Sequence, residues 1–420
     1  MSLNAGFGRG VITPSMPVSL AGFGQRKLPA AKVHDELEAR ALYLDDGNCP
    51  LCLIVCDLLA MSAEFADPVR DAVGEALGLP RESVLVSCIH THSGPSTLAG
   101  SEVLGWPVQE SYARVVLDGC VSAAIQARQA AERAEVHFAR SPLPQRFSVN
   151  RRRLPYEPTF AVLDVRRPNG TRIGVLANVS VHPVTLGARW MEVSSDWVGP
   201  FRDTLEHIAG GCAIQMIGTA GDVNPSNDYF RAKDTDPYER TASLGREMAV
   251  VVAESLDCAQ PAGETLASVS RTIRVPIPPA KRERDFKNMN GQLLLAGAIL
   301  RQLIARASGG RLFGGSRPLM ADLMHLDDHV DIELVEWNLG SVRLVSVPGE
   351  AFHAFGRAVE QAFDGRVLMA GLAPVWQGYL PHPFRAAYEE SMSLGRDVVE
   401  AVLQAITGPA KERTSAGRPS

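Results

Sequence analysis

The chain has 420 residues, of which 45% are hydrophobic and 21% charged, with a mean hydropathy of -0.01. This composition excludes a disordered, collagenous or disulfide-dense protein, and the length allows one large α/β domain or two to three smaller ones. The net charge of -5, with no basic run, offers no surface for nucleic acid or anionic lipid. Since no apolar run reaches about 18 residues and no basic-apolar leader opens the chain, we expect neither a transmembrane segment nor a signal peptide.

The predicted elements alternate between apolar runs of strand length and amphipathic stretches of helix length. In chain order they are strand 51–56, helix 63–77, strand 83–88, helix 111–133, strand 135–140, paired strands near 160–166 and 172–181, helix 198–208, strand 212–217, helix 238–257, β-structure 266–277, helix 282–306, a hairpin joining 331–337 to 342–347, and helices after Glu350 and Arg385. Nothing marks a domain boundary, and 308–318 is typical of a surface loop. We therefore predict an α/β fold: a single large mixed-sheet domain over 4–408, with helices packed on strands, catalytic loops at the carboxyl ends of strands and a disordered tail over 409–420.

Seven cysteines, an odd number, are scattered along the chain. Without a secretory signal they favour reduced thiols and a cytoplasmic location. Cys49 and Cys52 have CxxC spacing, but there is no second such pair, so structural thiols are favoured over redox or metal use.

The most pointed motif is His90-Thr91-His92, which directly follows a buried strand and precedes a Ser-Gly-Pro turn. In extended backbone, residues two apart face the same side, so both imidazoles can converge on one ion or substrate. An HxH pair alone is also common for purely structural reasons.

Three further loops follow apolar strands. His182 stands directly before a proline and is either a site residue or an ordinary core histidine. Glu350 follows Pro-Gly at a predicted helix start, so it is either a site residue or a carboxylate that complements the helix dipole. The glycines of 218–226 are explained either by close backbone approach to a ligand or by an Asx turn. Together, two histidines and a glutamate at strand ends suit a catalytic zinc with an open coordination position. His34 is a weaker candidate for a place near the site.

Seven segments, spread over about 5–390 in matching order and approximate spacing, resemble the catalytic domain of the neutral/alkaline non-lysosomal ceramidase family. They are Gly8–Pro14, His90–Pro95, Asn150-Arg151, Ser194–Asp196 with Gly199, Gly221–Pro225, Pro348–Glu350 and Gly371–Tyr379.

The resemblance implies a role for each matched residue. One zinc ion per chain would be bound by His90, His182, Glu350 and Tyr379. His92 matches the catalytic histidine and Arg151 the arginine that polarises the substrate. Asn224 stands where the family has a serine at the substrate, Arg152 and Arg153 replace its Ser-Pro, and Pro381-His382 replaces its Thr-Thr; these differences leave ceramide itself open as the substrate.

The implied reaction is hydrolysis of an N-acyl amide, either a ceramide-like lipid or a smaller soluble amide. Zinc-bound hydroxide would attack the carbonyl, Arg151 would stabilise the negative charge on the carbonyl oxygen, and His92 would transfer a proton to the leaving amine. Asp196 and Asp222 are predicted to orient ligand imidazoles by accepting their free N–H groups. A zinc esterase or phosphoesterase and a non-catalytic binding homologue remain as alternatives, and the sequence leaves the oligomeric state open.

Overall fold

Several mixed β-sheets with helices packed on them make up the fold in the computed structural model, which describes residues 2–24, 26, 28–101, 106–230, 236–277, 328–383 and 388–408. The strands are β1 Asn4–Val11, β2 Lys32–Val33, β3 Glu38–Asp45, β4 Leu51–Cys56, β5 Val84–Cys88, β6 Glu132–Arg133, β7 Glu135–Pro142, β8 Ser148–Asn150, β9 Thr159–Arg166, β10 Arg172–Val179, β11 Glu192–Val193, β12 Cys212–Met216, β13 Val223–Pro225, β14 Gln260–Pro261, β15 Leu266–Pro276, β16 His329–Leu339, β17 Val342–Val347, β18 Glu350–Ala351, β19 Val367–Gly371 and β20 Tyr379–Leu380. The α-helices are α1 Ala63–Leu77, α2 Glu110–Gln129, α3 Val198–Ala209, α4 Asn227–Phe230, α5 Pro237–Ser255, α6 His353–Ala362, α7 Tyr388–Ser391 and α8 Arg396–Thr407.

Three larger sheets form the framework. The first has the strand order β5-β4-β3-β1-β6, the second β12-β10-β9-β7-β14 and the third β15-β16-β17-β19. Each contains one parallel pair among antiparallel neighbours: β4 with β5, β10 with β12, and β17 with β19. The predicted mixed-sheet α/β class is therefore confirmed.

The first sheet is buried on both faces, as strand β4 shows. Leu51, Leu53 and Val55 belong to the core cluster shared with the second sheet, whereas Cys52 and Ile54 belong to the cluster beneath α1 and α2. Alternate residues of a strand point to opposite faces, so a strand covered on both sides is apolar throughout.

Helix α2 lies unusually close to β1 because glycines line the strand. A Cβ atom at Gly8 would lie 2.2 Å from the carbonyl oxygen of Ala123, and one at Gly10 would lie 2.1 Å from that of Gly119. Only a residue without a side chain permits this approach of helix to strand.

The predicted elements agree with the observed ones to within a few residues, with one clear difference. The helix predicted at 111–133 ends at Gln129, and the chain then enters the short strand β6. The predicted helix 282–306, the surface loop 308–318 and the disordered tail 409–420 lie outside the described residues. The extent of the domain, 4–408, stays a prediction.

Among the described residues, none of the helices combines the length and apolar character that crossing a bilayer requires.

Candidate active site

Loops from all three larger sheets meet at one place. His90 lies two residues after β5, His182 lies three residues after β10, and Glu350 opens β18 shortly after β17 ends. Strand β18 pairs in parallel with β20, and this register makes Glu350 and Tyr379 direct Cα partners. The predicted grouping of loops at the carboxyl ends of strands is thus what the fold provides.

The backbone at His90 differs from the expectation of an extended HxH segment. His90 has a φ of 73°, in the left-handed region, so the simple alternation argument is wrong for this pair. The His90 and His92 rings still converge, with centroids 5.0 Å apart and nearly perpendicular planes. Such a backbone conformation costs about 1 kcal/mol or more, and it is held in place by hydrogen bonds from His90 N to Leu58 O and from Thr91 Oγ1 to Ser194 O, of 2.9 and 2.7 Å.

Main-chain carbonyls fix the tautomers of two histidines. Nδ1 of His90 lies 2.6 Å from Leu59 O, and Nδ1 of His182 lies 2.9 Å from Ala220 O. A carbonyl oxygen can only accept, so each Nδ1 carries a proton, and in the neutral form of each imidazole Nε2 presents a lone pair. These Nε2 atoms both face Glu350 Oε2, at 3.1 Å from His90 and 3.8 Å from His182.

Glu350 is buried, and its other carboxylate oxygen accepts a hydrogen bond of 3.2 Å from Trp376 Nε1. Burial by itself would raise the pKa of Glu350, but the neighbouring His90 and His182 and a hydrogen bond from Tyr379 lower it to about 2. Glu350 lies in a strand, three residues before α6 begins, so the helix-dipole explanation does not describe it.

Two histidines of the cluster, His182 and His92, sit in surroundings that keep them neutral. Burial, followed by the charges of nearby groups, lowers the pKa of His182 and of His92 well below the ordinary value. A neutral imidazole is the form that binds a metal ion or accepts a proton.

The donor set fits a metal ion. Tetrahedral zinc with ligands at about 2.0–2.2 Å needs donor atoms roughly 3.3 Å apart, and the two Nε2–Oε2 separations of 3.1 and 3.8 Å are of that size. Lone pairs that face a carboxylate inside a protein repel one another unless a cation lies between them. His90, His92 and His182 also offer nitrogen atoms within 4.8 Å of one another, so all three histidines belong to one group that could hold a metal.

Arg151 lies beside this group, and its predicted role at the substrate stays a prediction. One terminal nitrogen of its guanidinium donates to Gly221 O and lies 3.4 Å from the Tyr379 hydroxyl. Burial opposes the charged form, but Tyr379, Glu389 and Glu350 raise the pKa of Arg151. Arg151 therefore stays protonated and is a fixed positive charge next to Tyr379.

The loop after β12 supplies Asn224 to the site, and Gly221 in the same loop allows close packing of the backbone. Asn224 lies in β13, paired with β8, and its Oδ1 atom has no hydrogen-bond partner among the described residues. A Cβ atom at Gly221 would lie 2.4 Å from Glu350 O, and Gly221 N donates to Ala351 O over 2.8 Å. This glycine therefore brings the loop against the backbone of Glu350.

The roles predicted for Asp196 and Asp222 are corrected. Asp196 accepts hydrogen bonds from the backbone N–H groups of Thr185, Leu186 and Trp197. Asp222 accepts from Asn150 Nδ2 and His353 N, both at 2.7 Å. Among the described residues neither carboxylate accepts an imidazole proton, and for His90 and His182 the carbonyls of Leu59 and Ala220 take that role. Both aspartates instead order the loops around the site.

Residues from distant segments complete the site and carry no signal in the local sequence. Phe23 packs its ring 4.9 Å from that of His92, and the Arg26 guanidinium donates to the carbonyl oxygens of His92, Ala21 and Gly187. Gly22 is required there because a Cβ atom would lie 2.3 Å from His92 Nδ1.

His34 lies outside the histidine cluster. Its contacts are with Asp35, Trp190 and Tyr238, and the His34 and Tyr238 ring centroids are 3.7 Å apart. The sequence suggestion that His34 lies near the site is not supported by any contact with the cluster.

The chain is similar over its whole length to a solved structure described as a ceramidase complexed with C2, with 17% identity, a TM-score of 0.81 and 77% of that chain covered. It is also similar over its whole length to the neutral ceramidase from Pseudomonas aeruginosa, with 19% identity, a TM-score of 0.78 and 77% of that chain covered. Residues 4–216 match the family model for the N-terminal part of the neutral/alkaline non-lysosomal ceramidases. The chain therefore belongs to the neutral/alkaline non-lysosomal ceramidase family.

Proposed function

We propose that the protein is a zinc-dependent amidohydrolase that cleaves an N-acyl amide, either a ceramide-like lipid or a smaller soluble amide. The observation that carries this proposal is the buried convergence of the Nε2 atoms of His90 and His182 on Glu350 Oε2. Family membership supports the amide as the bond that is cleaved. We assign His90, His182, Glu350 and Tyr379 as the residues that hold one zinc ion.

Zinc bound there would lower the pKa of a water ligand from 15.7 to about 7 and polarise the amide carbonyl. The residues of the chain supply the rest. His92 accepts a proton from the attacking water and passes it to the leaving amine nitrogen. Burial lowers the pKa of His92, so the imidazole is unprotonated before the reaction. The Arg151 guanidinium stabilises the negative charge that grows on the carbonyl oxygen.

Asn224 orients the substrate in this proposal. Its Oδ1 atom is buried without a hydrogen-bond partner in the described part of the chain, so it is available to an N–H or O–H group of the substrate. An amide has no hydroxyl to acylate, so Asn224 is not a nucleophile.

The alternative of a two-metal phosphoesterase lacks support in the site. Such an enzyme holds its two ions about 3.5–4 Å apart and requires several carboxylate ligands. Among the described residues Glu350 is the carboxylate that faces the histidine cluster, whereas Asp196 and Asp222 accept hydrogen bonds elsewhere. The cytoplasmic location suggested by the cysteines stays a prediction.

The test uses the zinc-loaded protein and a panel of N-acyl sphingosines and N-acyl amino acids. We expect release of a primary amine from at least one substrate and, in a single turnover in heavy-oxygen water, one labelled oxygen in the carboxylate. Cleavage of matched esters without any amine release would show that the protein is an esterase and not an amidase. If neither class of substrate is cleaved, the remaining hypothesis is a non-catalytic binding homologue.

A further inference from the structure

Two consecutive arginines meet one buried glutamate beside the site. Arg151 Nε lies 3.1 Å from Glu389 Oε1, and Arg152 Nη1 lies 2.8 Å from Glu389 Oε2. Glu389 is only 4% exposed, so its charge is compensated by these two side chains rather than by water. The Arg152 contact is a hydrogen bond, whereas the Arg151 Nε contact is a charge contact without hydrogen-bond alignment.

A tight turn brings both arginines to the same carboxylate. In an extended strand consecutive side chains point in opposite directions, but residues 151 and 152 form a turn after β8. The Asn150 side chain shapes this turn, because its Oδ1 atom accepts from Arg152 N at 2.9 Å and its Nδ2 atom donates to Asp222 at 2.7 Å.

The segment that carries Glu389 also holds the backbone of Tyr379. Tyr379 N donates to Met392 O over 2.9 Å, and Met392 N donates to Glu389 O over 3.1 Å. The same short segment, α7 with the residue after it, therefore fixes the strand that bears the Tyr379 hydroxyl and supplies the charge beside Arg151.

Contacts with the described residues involve Nε and Nη2 of Arg151 and leave Nη1 for a substrate. Nε faces Glu389, and Nη2 faces Gly221 O and the Tyr379 hydroxyl. An arginine side chain has many rotamers, and a donor already fixed in place stabilises a growing charge without an ordering cost during the reaction.

We propose that Glu389 is a positioning residue that fixes the Arg151 guanidinium for catalysis, with Arg152 as the second cation that neutralises it. This inference rests on the proposed function of the site. Arg152 stands where the resembled family pattern has a serine, so the Arg152–Glu389 contact belongs to the substrate-facing part in which this chain departs from that pattern.

The test is Glu389→Gln, which removes the charge and keeps the size of the side chain. We expect kcat on the best amide substrate to fall by about 10- to 100-fold, as for a misplaced catalytic group, with a much smaller change in KM and unchanged zinc content. In an Arg151→Ala background the same substitution is expected to change kcat by less than about threefold, because its effect passes through Arg151.

The matched control is Glu390→Gln, the same change at the neighbouring position, where the carboxylate lies 3.9 Å from Arg152. It should leave kcat within about threefold of the wild-type value, since the contact with Arg151 is kept. An undiminished or increased kcat in Glu389→Gln, or an equal loss in the Arg151→Ala background, would overturn the inference.

A crystal structure of Glu389→Gln provides a second measurement that does not depend on activity. We expect the Arg151 guanidinium to be displaced or disordered while the fold and Tyr379 remain in place; an unmoved guanidinium contradicts the inference. Absence of amine release by the wild-type protein would contradict the proposed function instead, and the crystallographic result would still decide the role of Glu389.

Discussion

The histidine half of the site (His90, His92 and His182) and its arginine half (Arg151, Arg152 and Glu389) are held by different kinds of contact. Main-chain carbonyls orient two of the imidazoles. One charged side chain from a distant segment, Glu389, contacts both arginines, and Arg151 also donates to the main-chain carbonyl of Gly221. A backbone anchor persists through most substitutions of the residue that supplies it, whereas an ion pair needs two particular side chains.

The chain departs from the pattern it resembles beside the arginine half. The proposed metal ligands match that pattern, whereas Arg152, Arg153 and Asn224 replace other residues and lie on or beside the paired strands β8 and β13. We therefore expect the histidine half together with Arg151 to carry the proposed chemistry, and Arg152, Arg153 and Asn224 to decide substrate preference.

The largest effect is expected from removing a metal ligand. His182→Ala should lower zinc content from about one ion per chain to nearly none at limiting zinc, with loss of amide hydrolysis, because a direct ligand contributes more than the about 10–100-fold in metal affinity that its hydrogen-bond partners provide. Elemental analysis after dialysis measures this. His34→Ala, outside the cluster, is the control, and unchanged zinc content in His182→Ala would show that the ligand set is wrong.

Within the histidine half, His92 should differ in kind from His182. His92→Ala is expected to keep the zinc and lower kcat by about 10²–10⁴, the usual contribution of a positioned acid or base. Zinc content and steady-state kinetics on one preparation separate the two roles. Loss of zinc in this variant would show that His92 is a metal ligand, a role that its place in the three-histidine group allows.

A smaller effect is expected from substitution of Gly22, which packs against the His92 ring. At Gly22, where φ is 93°, a Cβ atom would lie 2.3 Å from His92 Nδ1, so Gly22→Ala should displace the imidazole and lower kcat by about 10- to 100-fold. Gly78→Ala is the matched control, because Gly78 also has a positive φ, 68°, but a Cβ atom added there would have no neighbour within 4 Å among the described residues. The control should lose about 1 kcal/mol of stability in denaturant unfolding and keep its kcat; equal kcat in both variants would contradict a role for Gly22 in placing His92.

The smallest effect is expected at Ser226, the hydroxyl nearest in sequence to Asn224. Ser226→Ala should keep kcat within about threefold, because the proposed reaction needs no serine nucleophile. Intact-mass measurement during turnover should find no acyl adduct on the wild-type protein. If the wild-type protein forms an acyl adduct, and Ser226→Ala loses both the adduct and the activity, the mechanism is covalent and the proposed direct attack by water is wrong.

Local patterns in the sequence predicted most of the elements that carry the site. The apolar runs 51–56 and 83–88 and the amphipathic stretch between them correspond to β4, β5 and α1, because burial on one or both faces leaves a periodic record in the chain. Glu350 was the exception: a Pro-Gly turn followed by a helical stretch hid the two-residue strand β18, which exists only because β20 pairs with it.

The amino-acid sequence by itself determined the fold class, the placement of His90 and His182 after buried strands, and the lack of a hydroxyl at residue 224. Tertiary structure alone decided the left-handed backbone of His90, the carbonyls that set the tautomers, the backbone partners of Asp196 and Asp222, and the contact between Arg152 and Glu389. The physical reason is the separation along the chain over which each kind of information acts. Periodicity records burial over a few neighbouring residues, whereas Arg152 and Glu389 lie 237 residues apart and meet only when the sheets have packed and fixed which loops share one edge.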